Sequence, residues 1–456
     1  MSTVEQVEVR KYQPYSEYKN SGVEWLGNIP QHWSLSRVKD VAVVFGGYPF
    51  DSRQFNHDIG VPLVRIRDIN SESTAVCYDG NVPKEAVIDN GDVLIGMDGE
   101  FNVSRWKGQR AVLNQRVACV RTASSTLTAY MYYALPFNLK LVNDLTYYTT
   151  VKHLSLEGID KTLFALPSDK ELCNIISFLD YETDRIDKLI AQQQRLIELL
   201  KEKRQAVISH AVTKGLNPDT PMKDSGVEWL GVVPKHWRVC RLKHVKSSQA
   251  NSFVDGPFGS NLKSEHFVEN GDVYVIESNF ATTGELVPLD LKTVTNEHFK
   301  TIQRSSTVGG DIIIAKIGAR FGSSAILPEL DKAAVVSGNS LKLSVNPSII
   351  DVEYANHVFQ HLKREGAVDD GANITAQPAL SLGTLNNLCF VVPPLKEQHI
   401  ILLKIKNETK IYDGLLDKAG QFIKLIQERR TALISAAITG KIDLRGWTAP
   451  VQESAA

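Results

Sequence analysis

ELCNIISFLDYETDRIDKLIAQQQRLIELLKEKRQAVISHAVT, residues Glu171 to Thr213, reads as one uninterrupted helix, and its periodicity decides how the rest of the chain is organised. Apolar or neutral residues recur at alternating steps of three and four through Ile186, Leu189, Gln193, Leu196, Leu200, Lys203 and Val207, the 3.5-residue repeat of a helix with one buried seam. A second version runs from Glu397 to Thr439 and keeps the phase. Adding 226 to each position gives Tyr412, Leu415, Ala419, Phe422, Ile426, Arg429 and Leu433, and the identities Glu182/Glu408, Asp187/Asp413, Arg204/Arg430 and Ser209/Ser435 fix the alignment. Such a run would be roughly 65 Å long if unbroken, which suits a spacer better than a core helix.

A helix with an apolar stripe needs a partner. Periodicity alone is satisfied by a dimerisation coiled coil between two copies of the chain, but a sister segment on the same chain is present at high local concentration, so the two helices are expected to pair with each other. The seam residues expected to meet are Ile186, Leu189, Leu196, Leu200 and Val207 on the first helix and Tyr412, Leu415, Phe422, Ile426 and Leu433 on the second. An antiparallel pair would put the two intervening domains at opposite ends.

With 456 residues the chain suits two or three domains. Its 51 basic residues balance 52 acidic ones, so net charge neither points to a nucleic-acid partner nor excludes one. Cys77, Cys119, Cys173, Cys240 and Cys389 have no ligand-like spacing and read as buried thiols of a reducing compartment. The N-terminus lacks the apolar core of a signal peptide and no run approaches a membrane span, so a cytoplasmic protein with no membrane partner is expected.

The stretch Lys19-Asn-Ser-Gly-Val-Glu-Trp-Leu-Gly-Asn-Ile-Pro-Gln-His-Trp33 returns as Lys223-Asp-Ser-Gly-Val-Glu-Trp-Leu-Gly-Val-Val-Pro-Lys-His-Trp237. Carried on to Val41 and Val245, the two copies agree at 14 of 23 positions, so the chain is a tandem duplication. Trp25, Trp33, Trp229 and Trp237 read as packing that seats each domain on its helix, because tryptophan carries a large apolar area. His32 and His236 recur beside them and read as a structural contact rather than as ligands.

Between each opening and its helix, short strands alternate with turns: Val61 to Ile66, Gly91 to Gly96 and Arg116 to Val120, then Asp272 to Ile276, Gly310 to Ala315 and Ser340 to Val345. Gly91-Asp-Val-Leu-Ile matches Gly310-Asp-Ile-Ile-Ile, a Gly-Asp turn feeding a buried strand. Helical stretches at Tyr130 to Leu141 and Tyr354 to Lys363 follow, and Pro167, Pro393 and Pro394 punctuate the approach to each long helix. The offset grows from 204 at the openings to 226 at the helices, so the frame is constant while the loops between diverge.

No catalytic constellation is present: there is no HExxH, GxSxG, phosphate loop or dinucleotide fingerprint, and the histidines are scattered. What remains is polar, basic and borne on loops. In the first domain these are Tyr48, Ser52 and Arg53 in a Gly-Gly-Tyr-Pro-Phe-Asp-Ser-Arg stretch, then Arg65, Arg67, Asn102, Arg105, Lys107 and Arg116. In the second they are Ser260, Asn261 and Lys263 in Asp255-Gly-Pro-Phe-Gly-Ser-Asn-Leu-Lys263, then Lys316, Arg320, Asn339 and Lys342. These residue types neutralise phosphates or present hydrogen-bonding forks to base edges. Taken singly, each is also what an ordinary solvated surface carries.

The duplicated Ser-Gly-Val-Glu-Trp-Leu-Gly-x-x-Pro-x-His-Trp, the Gly-Pro-Phe-Gly-Ser of the second domain, the Gly-Asp strands and the helix ending Arg-x-Ala-(Val/Leu)-Ile-Ser together resemble the specificity subunit of type I restriction-modification systems. The resemblance implies an α+β fold in which two tandem-duplicated, β-rich target-recognition domains are separated by two long helices pairing as an antiparallel coiled coil with pseudo-two-fold symmetry. The expected layout is a lead over 1–20, recognition domains over 21–166 and 217–392, spacer helices over 167–216 and 393–444, and a tail over 445–456. The resemblance also implies a non-catalytic subunit, each domain reading one half of a bipartite, asymmetric double-stranded DNA site while the helices set the gap. Two methyltransferase subunits would dock on the helices, and the translocating nuclease (restriction) subunits would join that core. S-adenosylmethionine, ATP and magnesium would belong to those partners, with no cofactor in this chain. The alternative is a paired module for another ligand, such as a glycan, on a helical stalk. An enzyme with its active site between the copies is disfavoured because no acid-base or metal cluster recurs.

Overall fold

Four helices frame the chain: α1 (Ser125–Leu145), α2 (Asp169–Lys214), α3 (Val352–Arg364) and α4 (Leu395–Ile438). The computed structural model describes residues 12–145, 153–370, 372–373 and 379–450. It divides into two compact units, Met1–Arg195 with Ala419–Ala456, and Leu196–Lys418. Each long helix therefore gives one part to each unit.

Within the first unit, a four-stranded antiparallel sheet runs in the order Ala42–Gly46 (β1), Val117–Thr122, Val93–Gly96, Val103–Arg105. In chain order the further strands of the two sheets include Val61–Val64 (β2), Val93–Gly96 (β3), Val103–Arg105 (β4), Ala111–Leu113 (β5) and Val117–Thr122 (β6). A second sheet centres on the parallel pair β2 and β5, with Val87–Ile88 antiparallel on its far edge. The second unit repeats this with Phe253–Asp255 (β7), Val273–Ile276 (β8), Ile312–Ala315 (β9), Ser324–Ile326 (β10), Ala333–Val336 (β11) and Ser340–Leu343 (β12). Its first sheet has the order β7, β12, β9, β10, and its second has the parallel pair β8 and β11. Strands β3 and β9 follow the two Gly-Asp turns and are buried on both faces, which is why they read as unbroken apolar runs.

Where the sheets meet the helices, Trp33, Tyr130, Phe164 and Phe178 pack with Leu433, Ala436 and Ala437 from the end of α4 in the first unit. In the second, Trp237, Tyr354, Phe390, Ile401 and Ile405 pack with Ile208, Ala211 and Val212 from the end of α2. The larger of these side chains, fully buried, contribute about 1.5–3 kcal/mol each. The start of one long helix thus lies beside the end of the other within each unit, so the two run antiparallel there. The Tyr130 hydroxyl donates to the carbonyls of Ala165 (2.8 Å) and Ile438 (3.2 Å), and the Tyr354 hydroxyl donates to the carbonyl of Val212 (3.0 Å). Both tyrosines satisfy orphan carbonyls of a helix end, and burial raises both hydroxyls well above the ordinary tyrosine range.

The seam differs from the expected one. Leu196, Leu415 and Phe422 are exposed (42%, 43% and 40%), while their neighbours Ile197, Leu416 and Ile423 face inward. Leu189 is half-buried together with Ile190, and Arg204 turns in where Lys203 does not. The inward positions Ile186, Gln193, Leu200 and Val207 keep the expected steps of seven, while Ile197 and Arg204 stand inward in place of Leu196 and Lys203, so the 3.5-residue repeat holds with one of its two rows moved on by a residue. In α4 the same repeat passes through Ile405, Tyr412, Leu416, Ala419, Ile423, Ile426 and Leu433. Of the five cysteines, all free, only Cys119 is buried and Cys173 is exposed, so the expectation of five buried thiols is corrected.

Candidate nucleic-acid interface

The opening motif of each domain ends on the first turn of the long helix that follows. In the first unit Glu171 accepts hydrogen bonds from Ser168 Oγ (2.8 Å) and Trp33 Nε1 (3.4 Å) and pairs with His32 Nε2 at 2.9 Å. In the second, Glu397 accepts from Trp237 Nε1 (3.0 Å) and pairs with His236 Nε2 (2.8 Å). Burial would raise the Glu171 carboxyl, but the hydrogen bonds from His32, Ser168 and Trp33 outweigh it and hold the group below its ordinary range. These repeated contacts seat each recognition domain on its helix and leave its loops to do other work.

Those loops gather at one end of each unit's sheets. In the first unit, the loop after β1 carries Tyr48, Ser52 and Arg53, that after β2 carries Arg65 and Arg67, that after β3 carries Asn102, and Arg116 precedes β6. They are tied together by backbone bonds from Tyr48 to Leu113, from Asn114 to Val64 and from Met97 to Arg116. Gly47 is pressed on the opposite loop so closely that an added Cβ would lie 2.2 Å from the Asn114 carbonyl oxygen. In the second unit Gly256 holds the equivalent place, with a Cβ 1.9 Å from the Ser337 carbonyl oxygen. There the loop after β7 carries Ser260, Asn261 and Lys263, that after β9 carries Arg320, and Asn339 precedes β12, with Lys316 N–H donating to the Asn339 carbonyl at 2.8 Å.

Not every candidate side chain belongs to that surface. Lys342 is buried and pairs with Asp311 at 3.3 Å, and Lys316 is buried and pairs with Asp255 at 3.0 Å, so both are internal charges rather than groups presented to a ligand. Arg65 is mostly covered and donates from Nε to Asp68 at 2.9 Å. Arg105 and Lys107 line a cleft of about 490 Å³ that faces Asp180, Asp184 and Asp187 of α2 and Arg430 of α4, an environment of mixed charge. Arg53, Arg116 and Lys263 are exposed but carry carboxylate neighbours, Asp51 at 2.7 Å, Asp98 at 2.7 Å and Glu265 at 3.7 Å. The Arg53 hydrogen bonds hold the Asp51 carboxyl below its usual range.

Arg67 and Arg320 are exposed and have no ion-pair partner among the described residues, and Tyr48, Ser52, Asn102, Ser260, Asn261 and Asn339 are exposed beside them. The arrangement offers hydrogen-bond donors and acceptors on an exposed loop cluster in each unit, with one guanidinium group apiece that has no ion-pair partner among the described residues. Two polar or charged residues escaped the sequence reading: Arg304, exposed and 3.3 Å from Asp255, and Gln115, exposed in the loop before β6. Alignment of that loop with 337–339 would have found Gln115; nothing in the sequence singles out Arg304. Among the described residues no group of three or more His, Cys, Asp or Glu could hold a metal ion, and no helix is long and apolar enough to cross a membrane.

Residues 30–199 and 256–415, more than half of the chain, match the family described as the type I restriction modification DNA specificity domain. The chain is 26% identical over 446 residues to the specificity subunit of the type I restriction enzyme EcoBI of Escherichia coli, covering 95% of this chain and 91% of that one. It is 21% identical over 441 residues to the MjaVIII specificity subunit of Methanocaldococcus jannaschii, covering 91% and 94%. A chain from a solved structure concerned with assembly and conformational transition of the type I system superposes with a TM-score of 0.66 at 16% identity, over 90% of this chain and 98% of that one, and so shares its fold. These likenesses do not favour the glycan-binding alternative. Two copies of the matched domain, each ending in a long helix and presenting a loop cluster without catalytic groups, place the chain in the family of DNA sequence-specificity subunits of type I restriction-modification systems.

Proposed function

We propose that each recognition domain reads one half of a bipartite, asymmetric DNA site, through the loops at the shared end of its two sheets. The observation that carries this reading is the repetition of one frame with different faces. Gly47 and Gly256 are equivalent and equally confined, whereas the loops that follow them differ, Tyr48-Pro-Phe-Asp-Ser-Arg53 in one unit and Pro257-Phe-Gly-Ser-Asn-Leu-Lys263 in the other, and the exposed arginine stands after β2 in the first (Arg67) and after β9 in the second (Arg320). Two domains that share a scaffold and differ in their donors and acceptors suit two different half-sites.

The boundaries proposed for the readers are 21–166 and 217–392, with the helices acting as a spacer that sets the unread gap. Partner subunits would dock on the helices: Leu403, Ile411 and Leu415 leave apolar surface uncovered on α4, and Leu196 and Leu199 do so on α2. Two methyltransferase subunits fit that role, with the translocating nuclease subunits of a type I complex joining the core they form. S-adenosylmethionine, ATP and magnesium then belong to the partners, in the cytoplasm, and this chain supplies specificity without turnover. Mapping methylated adenines across the source genome tests the reading. A bipartite motif whose methylation vanishes when this gene is deleted is the expected result, and unchanged methylation would refute it.

A further inference from the structure

Each recognition domain exposes a single aromatic ring among its described residues, Tyr48 in the first (48%) and Phe258 in the second (49%); the remaining exposed aromatic, Phe422, lies on α4. Both rings stand in the same loop of the duplicated frame, one and two residues beyond the confined Gly47 and Gly256. Because no Cβ fits at either glycine, the backbone that carries each ring is held against the opposite loop. The rings are also supported from below. Phe258 lies under the Lys316 ammonium, 3.6 Å from its centroid, and that ammonium is in turn held by Asp255 at 3.0 Å. Tyr48 rests edge-on against buried Phe50 at 5.3 Å, and Phe50 packs on Tyr78 at 4.4 Å. Leaving an apolar ring half in water costs free energy and gains nothing for the fold, yet it recurs in copies whose other loop residues have diverged.

Resting on the proposed reading of DNA half-sites, we propose that Tyr48 and Phe258 are matched base contacts, each ring covering the C5-methyl group of a thymine in the major groove of the half-site read by its domain. Phenylalanine has no donor or acceptor, so it cannot read a base edge by hydrogen bonding; the thymine methyl is the one apolar group that a duplex presents in that groove. A wedge driven between base steps would require a freely projecting side chain. Phe258 has one face occupied by Lys316 and about half its surface covered, which leaves a shallow apolar contact instead. Ser260, Asn261 and Asn339 beside Phe258, and Asn102 and Arg116 beside Tyr48, supply the polar contacts around it.

The test uses the full chain in complex with its methyltransferase subunits and duplexes carrying the motif found by methylation mapping, with each thymine of the site replaced in turn by uracil, which removes only the methyl group. Wild-type complex is expected to lose about fourfold in affinity at one thymine in each half-site, the burial of one methyl-sized group. The Phe258→Ala complex is expected to bind thymine and uracil equally at the position in the second half-site while still discriminating them in the first, and Tyr48→Ala the reverse. Phe258→Leu, which keeps an apolar side chain, is expected to retain the discrimination. Intact recognition of the other half-site by the same molecule serves as the check that each variant is folded. Full thymine preference in both alanine variants, or a wild type indifferent to uracil throughout, would overturn the assignment while leaving bipartite recognition standing. A wild-type complex with no bipartite motif would overturn that recognition itself, and the base contacts with it.

Discussion

Arg204 on α2 donates from Nε to Asp413 on α4 at 2.8 Å, and the same pair recurs 226 residues on, with Arg430 Nε 3.2 Å from Asp187. Each pair lies inside one unit and bridges the two long helices where they run antiparallel. All four side chains are partly exposed, so each bridge is worth no more than about 1 kcal/mol, and its value lies in register more than in strength. Arg204→Asp should destabilise the chain by setting two carboxylates face to face, and the exchange Arg204→Asp with Asp413→Arg should restore most of the loss. Thermal denaturation of the four members of this double-mutant cycle measures the coupling, expected at about 0.5–1 kcal/mol. A coupling of zero would mean that the helices find their register from the apolar stripe alone.

The contact of Glu171 with His32, Trp33 and Ser168 predicts a dependence on pH. Its carboxyl titrates below its ordinary value of 4.5 in the folded protein, so its stabilising contribution is complete above 4.5 and is lost as pH falls through the lowered value. Glu171→Gln offers one acceptor oxygen where three donors converge, and should destabilise the first unit by about 1–3 kcal/mol at neutral pH. Below 4.5 the gap between wild type and variant should narrow. Denaturant titrations at neutral pH and at successively lower pH check this, and a gap that widened on acidification would show that the carboxylate is not the stabilising form.

The two arginines after β2 should separate structure from DNA contact. Arg67 is exposed and unpaired, whereas Arg65 is held by Asp68. Arg67→Ala should leave stability within about 0.5 kcal/mol of wild type. It should lower DNA affinity of the assembled complex and reduce the slope of log affinity against log salt by about 1. Arg65→Ala should act mainly through the fold. Filter binding across a salt series, with a melting curve for each variant, distinguishes them; an unchanged salt slope for Arg67→Ala would put that side chain on a solvated face.

The parts of this architecture that could be read from residues alone are those where the chain repeats itself. Trp33 and Trp237, and the Gly-Asp turns before β3 and β9, recur with their neighbours, so a local pattern appears twice and its meaning is constrained twice. The helix seam was ambiguous for a physical reason. Leu189-Ile190, Leu196-Ile197, Leu415-Leu416 and Phe422-Ile423 are adjacent apolar pairs, and a 3.5-residue repeat anchored on Ile186 or Tyr412 accepts either member until packing turns Ile197, Leu416 and Ile423 inward. Charge was harder still. Lys316 and Lys342 look like surface lysines until the fold brings Asp255 and Asp311 to them from 61 and 31 residues away. Phe258 was passed over because it carries no polar or charged group, and its exposure is a property of the folded loop.

Modularity gives a further expectation. If each domain reads its own half-site, replacing residues 42–155 with the corresponding segment of another family member should change one half of the methylated motif and leave the other half and the gap as they were. The segment spans both sheets of the first unit but stops short of the Glu171 contact, so the seat on α2 is preserved. Methylation mapping in a host lacking the native system measures the outcome. Changes in both halves would mean that the readers are not independent.

The seven-residue repeat of the stripe makes the last prediction specific about length. Seven added residues lengthen a helix by about 10 Å and turn its far end by only about 20°, whereas four add about 6 Å but turn it by about 40°. Insertion of seven residues in α2 between Gln192 and Leu199, matched by seven at the equivalent place in α4, should therefore keep the inward faces in contact and preserve both half-sites. At about 3.4 Å per base pair, the unread gap should grow by about three base pairs. Four residues inserted at the same places should cost more stability, because Ile197 and Ile423 would turn away from the partner helix. Methylation mapping with each insertion reads the gap directly. If the longer helices methylated the original motif with the original gap, the long helices would not be what sets it.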